Sequence, residues 1–255
     1  MNERYIRQFL FKKLKESGQE QLLRSRIAIV GMGALGCVSA NETVRAGVGF
    51  VRLIDDDRVD LSNLHRQILY SEDDALHAVP KVHAAAEVLR TANSEIEIQP
   101  VFEKLTADNS NELLGEVDLI IDATDNMSTR FLINEYCVEH RIPWVYGGAV
   151  ESEGMTANFL PGGPCLSCML GTTHPSDSDA PPRIASTVGV LNMLTGVVAS
   201  VQTVEAVKIL TGSPDVRKDM LFFDIWENEF ERLPLEKNPE CPICARHEYH
   251  FLKGK

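Results

Sequence analysis

The chain has 255 residues, 44% of them apolar and 24% charged, with a formal net charge of −12 at pH 7. That length sets one large domain, or one domain with an appendage, and the apolar share suffices for a real core. So acidic a balance excludes a general nucleic-acid or anionic-membrane surface, and any bound phosphate must meet a local group of Arg, Lys and backbone N–H.

In chain order, residues 3–24 read as one or two helices. Residues 1–21 mix charge throughout and carry no apolar signal core. With only six cysteines, too few for a disulfide scaffold, the expectation is a cytoplasmic protein. Alternation then begins: strand 26–30, helix 35–46, strand 50–55, and a helix opening at Pro80 and running to about residue 92. Strand 95–101, helix 109–114 and the wholly apolar strand 118–122 follow, then helix 126–140 and strand 143–146. Such repetition predicts a Rossmann-like, doubly wound, mainly parallel sheet, with ligands at the carboxyl ends of the strands. After Gly148 the pattern changes to strands at 155–160 and 221–226, predicted as antiparallel additions. Residues 171–183, rich in Pro, Ser and Asp, read as a mobile loop. The apolar stretch 187–201 is too short for a membrane span and reads as part of a buried helix over 188–210.

The first strand, Ile27-Ala28-Ile29-Val30, runs into Gly31-Met32-Gly33-Ala34-Leu35-Gly36. Gly31 suits a tight turn, Gly33 a close approach to phosphate and Gly36 close packing of the helix. Asp55, at the end of the next strand, stands where an acid grips ribose hydroxyls. Asp56 and Asp57, past the strand end, read as loop charges. Beyond them Asn63, Arg66 and Lys81 could meet a triphosphate and the charge that builds at its α-phosphorus. Charge alone also allows Arg66 and Lys81 to be solvated cations. In Asp122-Ala123-Thr124-Asp125-Asn126 one carboxylate could hold Mg²⁺, although Asp125 could equally cap the next helix, and the two roles compete for the same oxygens.

Together these residues resemble the activating enzymes for ubiquitin-like sulfur carriers, the MoeB, ThiF and HesA group. The resemblance spans essentially the whole chain. It rests on Arg4-Tyr5-x-Arg7-Gln8, the glycine loop, Asp55, Ser62-Asn63-Leu64-x-Arg66-Gln67, Pro80-Lys81-Val82, Thr124-Asp125-Asn126 and two Cys-x-x-Cys pairs. It implies an adenylyltransferase that uses Mg-ATP on the C-terminal glycine of a small carrier ending in Gly-Gly. Under it Asp55 holds the ribose, Asn63, Arg66 and Lys81 handle phosphates, Asp125 is the acid associated with magnesium, and Asn126 is a further cofactor-binding residue. Arg7 would reach into a neighbouring subunit's site, which implies a homodimer. The division implied is a helical arm over 1–25, a nucleotide-binding part over 26–150 and a carrier-binding, zinc-bearing part over 151–255.

Cys165, Cys168, Cys241 and Cys244 form two knuckles whose four thiolates would close a tetrahedral, structural Zn²⁺ site, against an alternative of reduced or redox-active thiols. Many relatives carry a cysteine in the crossover segment, but residues 171–190 hold none, and the corresponding place reads Ile184-Ala185-Ser186. Cys37 and Cys137 fall inside helices as packing residues. Adenylation without a covalent enzyme–carrier link is therefore expected. The carrier tail is expected as an extended strand aimed at the α-phosphate, near the loop after Thr172. Other readings are adenylation of a peptide C-terminus or a tRNA base, an NAD-dependent oxidoreductase supported by the glycine loop and Asp55 alone, and an inactive nucleotide-binding scaffold.

Overall fold

The computed structural model describes residues 3–171 and 185–253. The predicted loop and the segment after Thr172 therefore lie almost entirely outside the described residues. A single 3-10 turn at Glu3–Tyr5 leads into α1 (Ile6–Phe9), and α2 (Lys15–Arg24) follows as a separate helix. This arm is pinned to the body at two points. Tyr5 is buried and its hydroxyl accepts from Asn93 Nδ2 at 2.8 Å, while Gln8 Nε2 donates to the Ala46 carbonyl at 3.0 Å.

The alternating region comprises β1 (Arg26–Val30), α3 (Ala34–Ala46), β2 (Phe50–Ile54), α4 (Glu72–Leu76), α5 (Lys81–Ala92), β3 (Glu97–Val101), α6 (Ser110–Leu114), β4 (Leu119–Asp122), α7 (Met127–His140) and β5 (Trp144–Val150). It is followed by β6 (Glu153–Phe159), α8 (Leu166–Leu170), α9 (Ala185–Val188), α10 (Asn192–Leu210), β7 (Met220–Asp224) and β8 (Glu229–Leu233). Among the described residues eight strands join one sheet in the order β3-β2-β1-β4-β5-β6-β7-β8. The five from β3 to β5 are parallel, and β6, β7 and β8 are added antiparallel. The predicted α/β architecture is the one observed.

Several elements differ from the sequence reading, and α8 and α9 were not expected. Helix α4 was not expected, yet Ser71 caps it, accepting from the Asp74 amide while the Asp74 carboxylate accepts from the Ser71 amide. The helix predicted over 188–210 begins only at Asn192, because Gly189 adopts φ +90° and Leu191 is extended, which separates it from the short α9. Strand β8 was missed because Glu229, Glu231 and Arg232 make it polar, as suits an exposed sheet edge. Pro80 stands one residue before its helix as the N-cap rather than as the first helical residue.

Strands β1 and β4 are buried almost throughout, as a central parallel sheet requires. Helix α10 could cross a bilayer by length and composition alone, with a mean hydropathy of 1.4 over 18 residues. Instead it packs on α3, β4, β5 and β6. From it Gln202 Nε2 donates to the Asp122 and Val145 carbonyls at 2.7 and 3.2 Å, tying α10 to the end of β4 and the first part of β5.

Candidate functional site

The order of the sheet reverses between β1 and β4, and a cleft opens there at the carboxyl ends of the strands. Its volume is about 670 Å³. Gly31, Gly33, Asp55, Asn63, Arg66, Lys81, Asp125 and Asn126 all line it. The glycine loop has the geometry its sequence demands. Gly31 has φ +93°, and a Cβ there would stand 2.6 Å from the Ala123 carbonyl oxygen. Gly36 lies beneath the loop, where a side chain would strike the Gly31 carbonyl. Gly33 caps α3 without any side-chain bond, so the first N–H groups of a 13-residue helix face the cleft, an arrangement that favours an anion.

Asp55 holds this loop in place. Its Oδ2 accepts from the Met32 amide at 2.5 Å and its Oδ1 from the Asp57 amide at 2.7 Å. Burial pushes its carboxyl up, opposed by Lys81 and by those two amides. Lys81 is not a solvated cation: it is 5% exposed, and its Nζ sits 2.7 Å from Asp57 Oδ2. Asp57 is thus more than a loop charge, since it aims the lysine. Asn63 and Arg66 belong to a turn closed by Asp60, whose Oδ1 accepts from the Ser62 amide at 2.8 Å while Asn63 Oδ1 accepts from the Asp60 amide. Arg66 Nη1 donates to the Ser62 carbonyl at 2.9 Å.

The two candidate acids after β4 are separated by their surroundings. Asp122 is fully buried, accepting from Thr124 through N and Oγ1 at 2.9 and 2.6 Å and from Arg130 Nε at 3.2 Å. Burial raises its carboxyl and Arg130 opposes that. Asp125 is exposed to the cleft, and no described residue hydrogen-bonds its carboxylate. The helix cap it competed for is supplied by Asn126, whose Oδ1 accepts from the Thr129 amide at 2.9 Å. Asp125 is therefore the carboxylate that can meet a cation. Arg130 was missed in the sequence. It donates to the Thr124 and Gly147 carbonyls at 2.6 and 3.0 Å and lies over the Tyr146 ring, fixing the loop that carries Asp125. Only its place one turn along the helix from Asn126 signalled it.

Two expected residues stand apart. Gly36 serves the cleft from below, and Arg7 is exposed on α1, outside the cleft of its own chain. In Arg4-Tyr5-x-Arg7-Gln8, Arg4, Tyr5 and Gln8 all bond to the body of the chain, and Arg7 bonds to no described residue.

Residues 5–243 match the ThiF family. The chain belongs to the ThiF family. It is 40% identical over 258 residues to the sulfur carrier protein ThiS adenylyltransferase of Bacillus subtilis, spanning 99% of this chain and 74% of that protein. It is 35% identical over 244 residues to the SAMP-activating enzyme E1 of Haloferax volcanii, spanning 95% and 88%. A third relative, the sulfur carrier protein adenylyltransferase of Thermus thermophilus, is 36% identical over 250 residues, spanning 95% and 90%. Among solved structures, Escherichia coli MccB with ATP shares the fold at TM-score 0.81 and 22% identity, covering 96% of this chain and 75% of that one. This ThiF-family protein is an E1-like adenylyltransferase.

The four cysteines meet away from the cleft, beside α7. Their sulfurs lie within 4.8 Å of one another, with Cys165–Cys241 at 3.7 Å, Cys168–Cys244 at 3.5 Å and Cys165–Cys168 at 3.9 Å. A tetrahedral zinc with bonds of about 2.3 Å sets sulfurs about 3.8 Å apart, so the cluster fits that ion. The tail beyond it is also anchored to α7: Glu135 accepts from the amides of His250, Phe251 and Leu252 at 2.8–2.9 Å.

Proposed function

We propose that this protein adenylates the C-terminal glycine of a small ubiquitin-like sulfur carrier ending in Gly-Gly, using Mg-ATP and releasing pyrophosphate. The observation that carries the reading is the convergence of Asp55, Asn63, Arg66, Lys81 and Asp125 on one cleft around the glycine loop. The names of the relatives support it: two are adenylyltransferases of sulfur carriers and one is a SAMP-activating E1.

In this reading the loop amides and α3 take the phosphates, and Asp55 takes the ribose from its place beneath them. The carrier carboxylate oxygen attacks the α-phosphorus, the bond from that phosphorus to the bridging oxygen breaks, and pyrophosphate leaves with the electron pair. No proton is transferred and no protein nucleophile is needed, so the work is positioning and charge neutralisation. Arg66 and Lys81 neutralise the leaving group. Asp125 would hold Mg²⁺, which neutralises phosphate charge when bound. Arg7 serves the cleft of a second copy in a homodimer. The division is an arm over 1–25, a nucleotide part over 26–150 and a carrier and zinc part over 151–255.

Transfer of sulfur then needs a nucleophile from outside the chain. The four clustered thiols are committed to the zinc. Cys37 and Cys137 are 0% and 3% exposed, and burial pushes the Cys37 thiol up to about 12 and holds the Cys137 thiol well above the ordinary thiol value. Non-reducing electrophoresis of protein, carrier and Mg-ATP should therefore show no covalent adduct that reductant cleaves, and such an adduct would refute a thiol-free pathway.

Zinc at the four cysteines is structural in this account. Metal analysis should return one zinc per chain, and a strong chelator should lower the melting temperature while leaving ATP affinity nearly unchanged. Identical melting with and without the metal would remove the structural role. The function itself is tested by ATP–pyrophosphate exchange with Gly-Gly-ended carriers. Exchange should appear only with a carrier and vanish in Asp125→Ala. Exchange that needs no carrier would contradict the assignment.

A further inference from the structure

Gln67 is a polar side chain that the account above leaves without a task. It lines the cleft yet is only 3% exposed, and its amide oxygen is buried without any hydrogen-bond partner. Its Nε2 faces the glycine loop, 3.9 Å from where a Cβ on Gly33 would stand, and is the one atom found near that place. Gly33 is the residue that opens α3 with no side-chain cap.

The turn that carries Gln67 is strapped down on both sides. The Gln67 amide donates to the Asn63 carbonyl at 3.0 Å, and Tyr70 Oη donates to the Met32 carbonyl of the glycine loop at 2.7 Å. Asn192 Nδ2 from α10 donates to the His65 carbonyl at 3.0 Å. The backbone at Gln67 is thus fixed, with its Nε2 beside the place that a Gly33 side chain would take. A phosphate oxygen accepts hydrogen bonds and cannot satisfy the buried Oε1, so a phosphate contact falls to Nε2, the atom nearest the place of a Gly33 side chain. Nε2 carries two N–H donors and no charge. It can bond a phosphate oxygen lying over Gly33 while Arg66 and Lys81 supply the charge.

We infer that Gln67 is a further nucleotide-binding residue, donating its amide to the phosphate that lies over Gly33. The inference rests on the nucleotide reading of the cleft but not on the identity of the carrier. A purely structural Gln67 would affect all ligands of the cleft alike. A phosphate contact separates ligands that have phosphates from those that lack them.

The test is calorimetric titration of ATP and of adenosine into the wild type, Gln67→Leu and Gln67→Glu, each first shown to melt as the wild type does. Loss of one hydrogen bond to a charged phosphate predicts ATP binding weakened about ten- to a hundredfold in Gln67→Leu. Gln67→Glu should be weaker still, by like-charge repulsion, with adenosine binding kept in both. Unchanged ATP binding, or equal loss of ATP and adenosine, would overturn the inference. Should Gln67→Leu fail to fold, Gln67→Glu, which keeps the shape, decides alone by the same comparison. A wild type that binds ATP but shows no carrier-dependent exchange would sink the proposed function and leave Gln67 standing. A wild type that binds no ATP would sink both.

Discussion

Lys81→Ala is expected to lower carrier-dependent pyrophosphate exchange about 100- to 1000-fold, the loss typical of one preorganised group facing developing charge. The lysine is 5% exposed and aimed by Asp57, so its ammonium enters the cleft already oriented and largely stripped of water. Stability should fall modestly, because the buried Asp55 loses the neighbouring charge that opposes its desolvation. The Lys81 amide keeps its bond to the Asp57 carbonyl at 3.0 Å, and the Asp57 side chain, 69% exposed, can return to water. Lys81→Arg should not restore the rate, because a planar guanidinium does not replace a compact ammonium at a fitted position. Mixing Lys81→Ala with Arg7→Ala protein should recover part of the exchange if the arm serves a second copy, since one cleft of a mixed dimer then keeps both residues. Exchange within about threefold of wild type in Lys81→Ala would remove this lysine from the chemistry.

Arg130→Ala should be the most destabilising single change near the cleft. It leaves Asp122, fully buried, with only the two Thr124 donors, and it also frees the Thr124 and Gly147 carbonyls. Removing one partner of a buried ion pair costs about 3–5 kcal/mol. For a chain of this size that lowers the melting temperature by about 6–20 °C. Activity should fall as well, because the loop between Asp122 and Asn126 loses the group that fixes Asp125. Replacing both partners, Asp122→Asn with Arg130→Leu, should recover part of the stability and little of the activity. A thermal shift of under about 2 °C in Arg130→Ala would show that Asp122 is stabilised by other means.

Those two cases mark what the chain made legible and what it hid. The glycine loop could be read because each glycine answers a local steric demand, visible at Gly31 and Gly36 as carbonyls standing where a side chain would go. Asp55 and the parallel strands were legible for a similar reason, since both follow from short-range pattern. The roles of Asp57, Arg130 and Gln67 were not. Each depends on a partner brought close only by the fold: Lys81 at the start of α5, Asp122 at the end of β4 and Gly33 on the glycine loop. Asp125 could not be assigned from the sequence because an acid there can cap a helix or meet a cation, and only the bond from the Thr129 amide to Asn126 shows the cap to be supplied elsewhere. Strand β8 lay hidden because an exposed edge follows solubility more than burial.

The most direct measurement is the intact mass of each Gly-Gly-ended carrier after incubation with Mg-ATP and catalytic protein. One carrier should gain the mass of a single adenylyl group, and a version lacking its terminal glycine should gain none. Transfer of that mass to a peptide or RNA in place of every carrier would contradict the account, as would a failure to modify any carrier by protein shown to bind ATP.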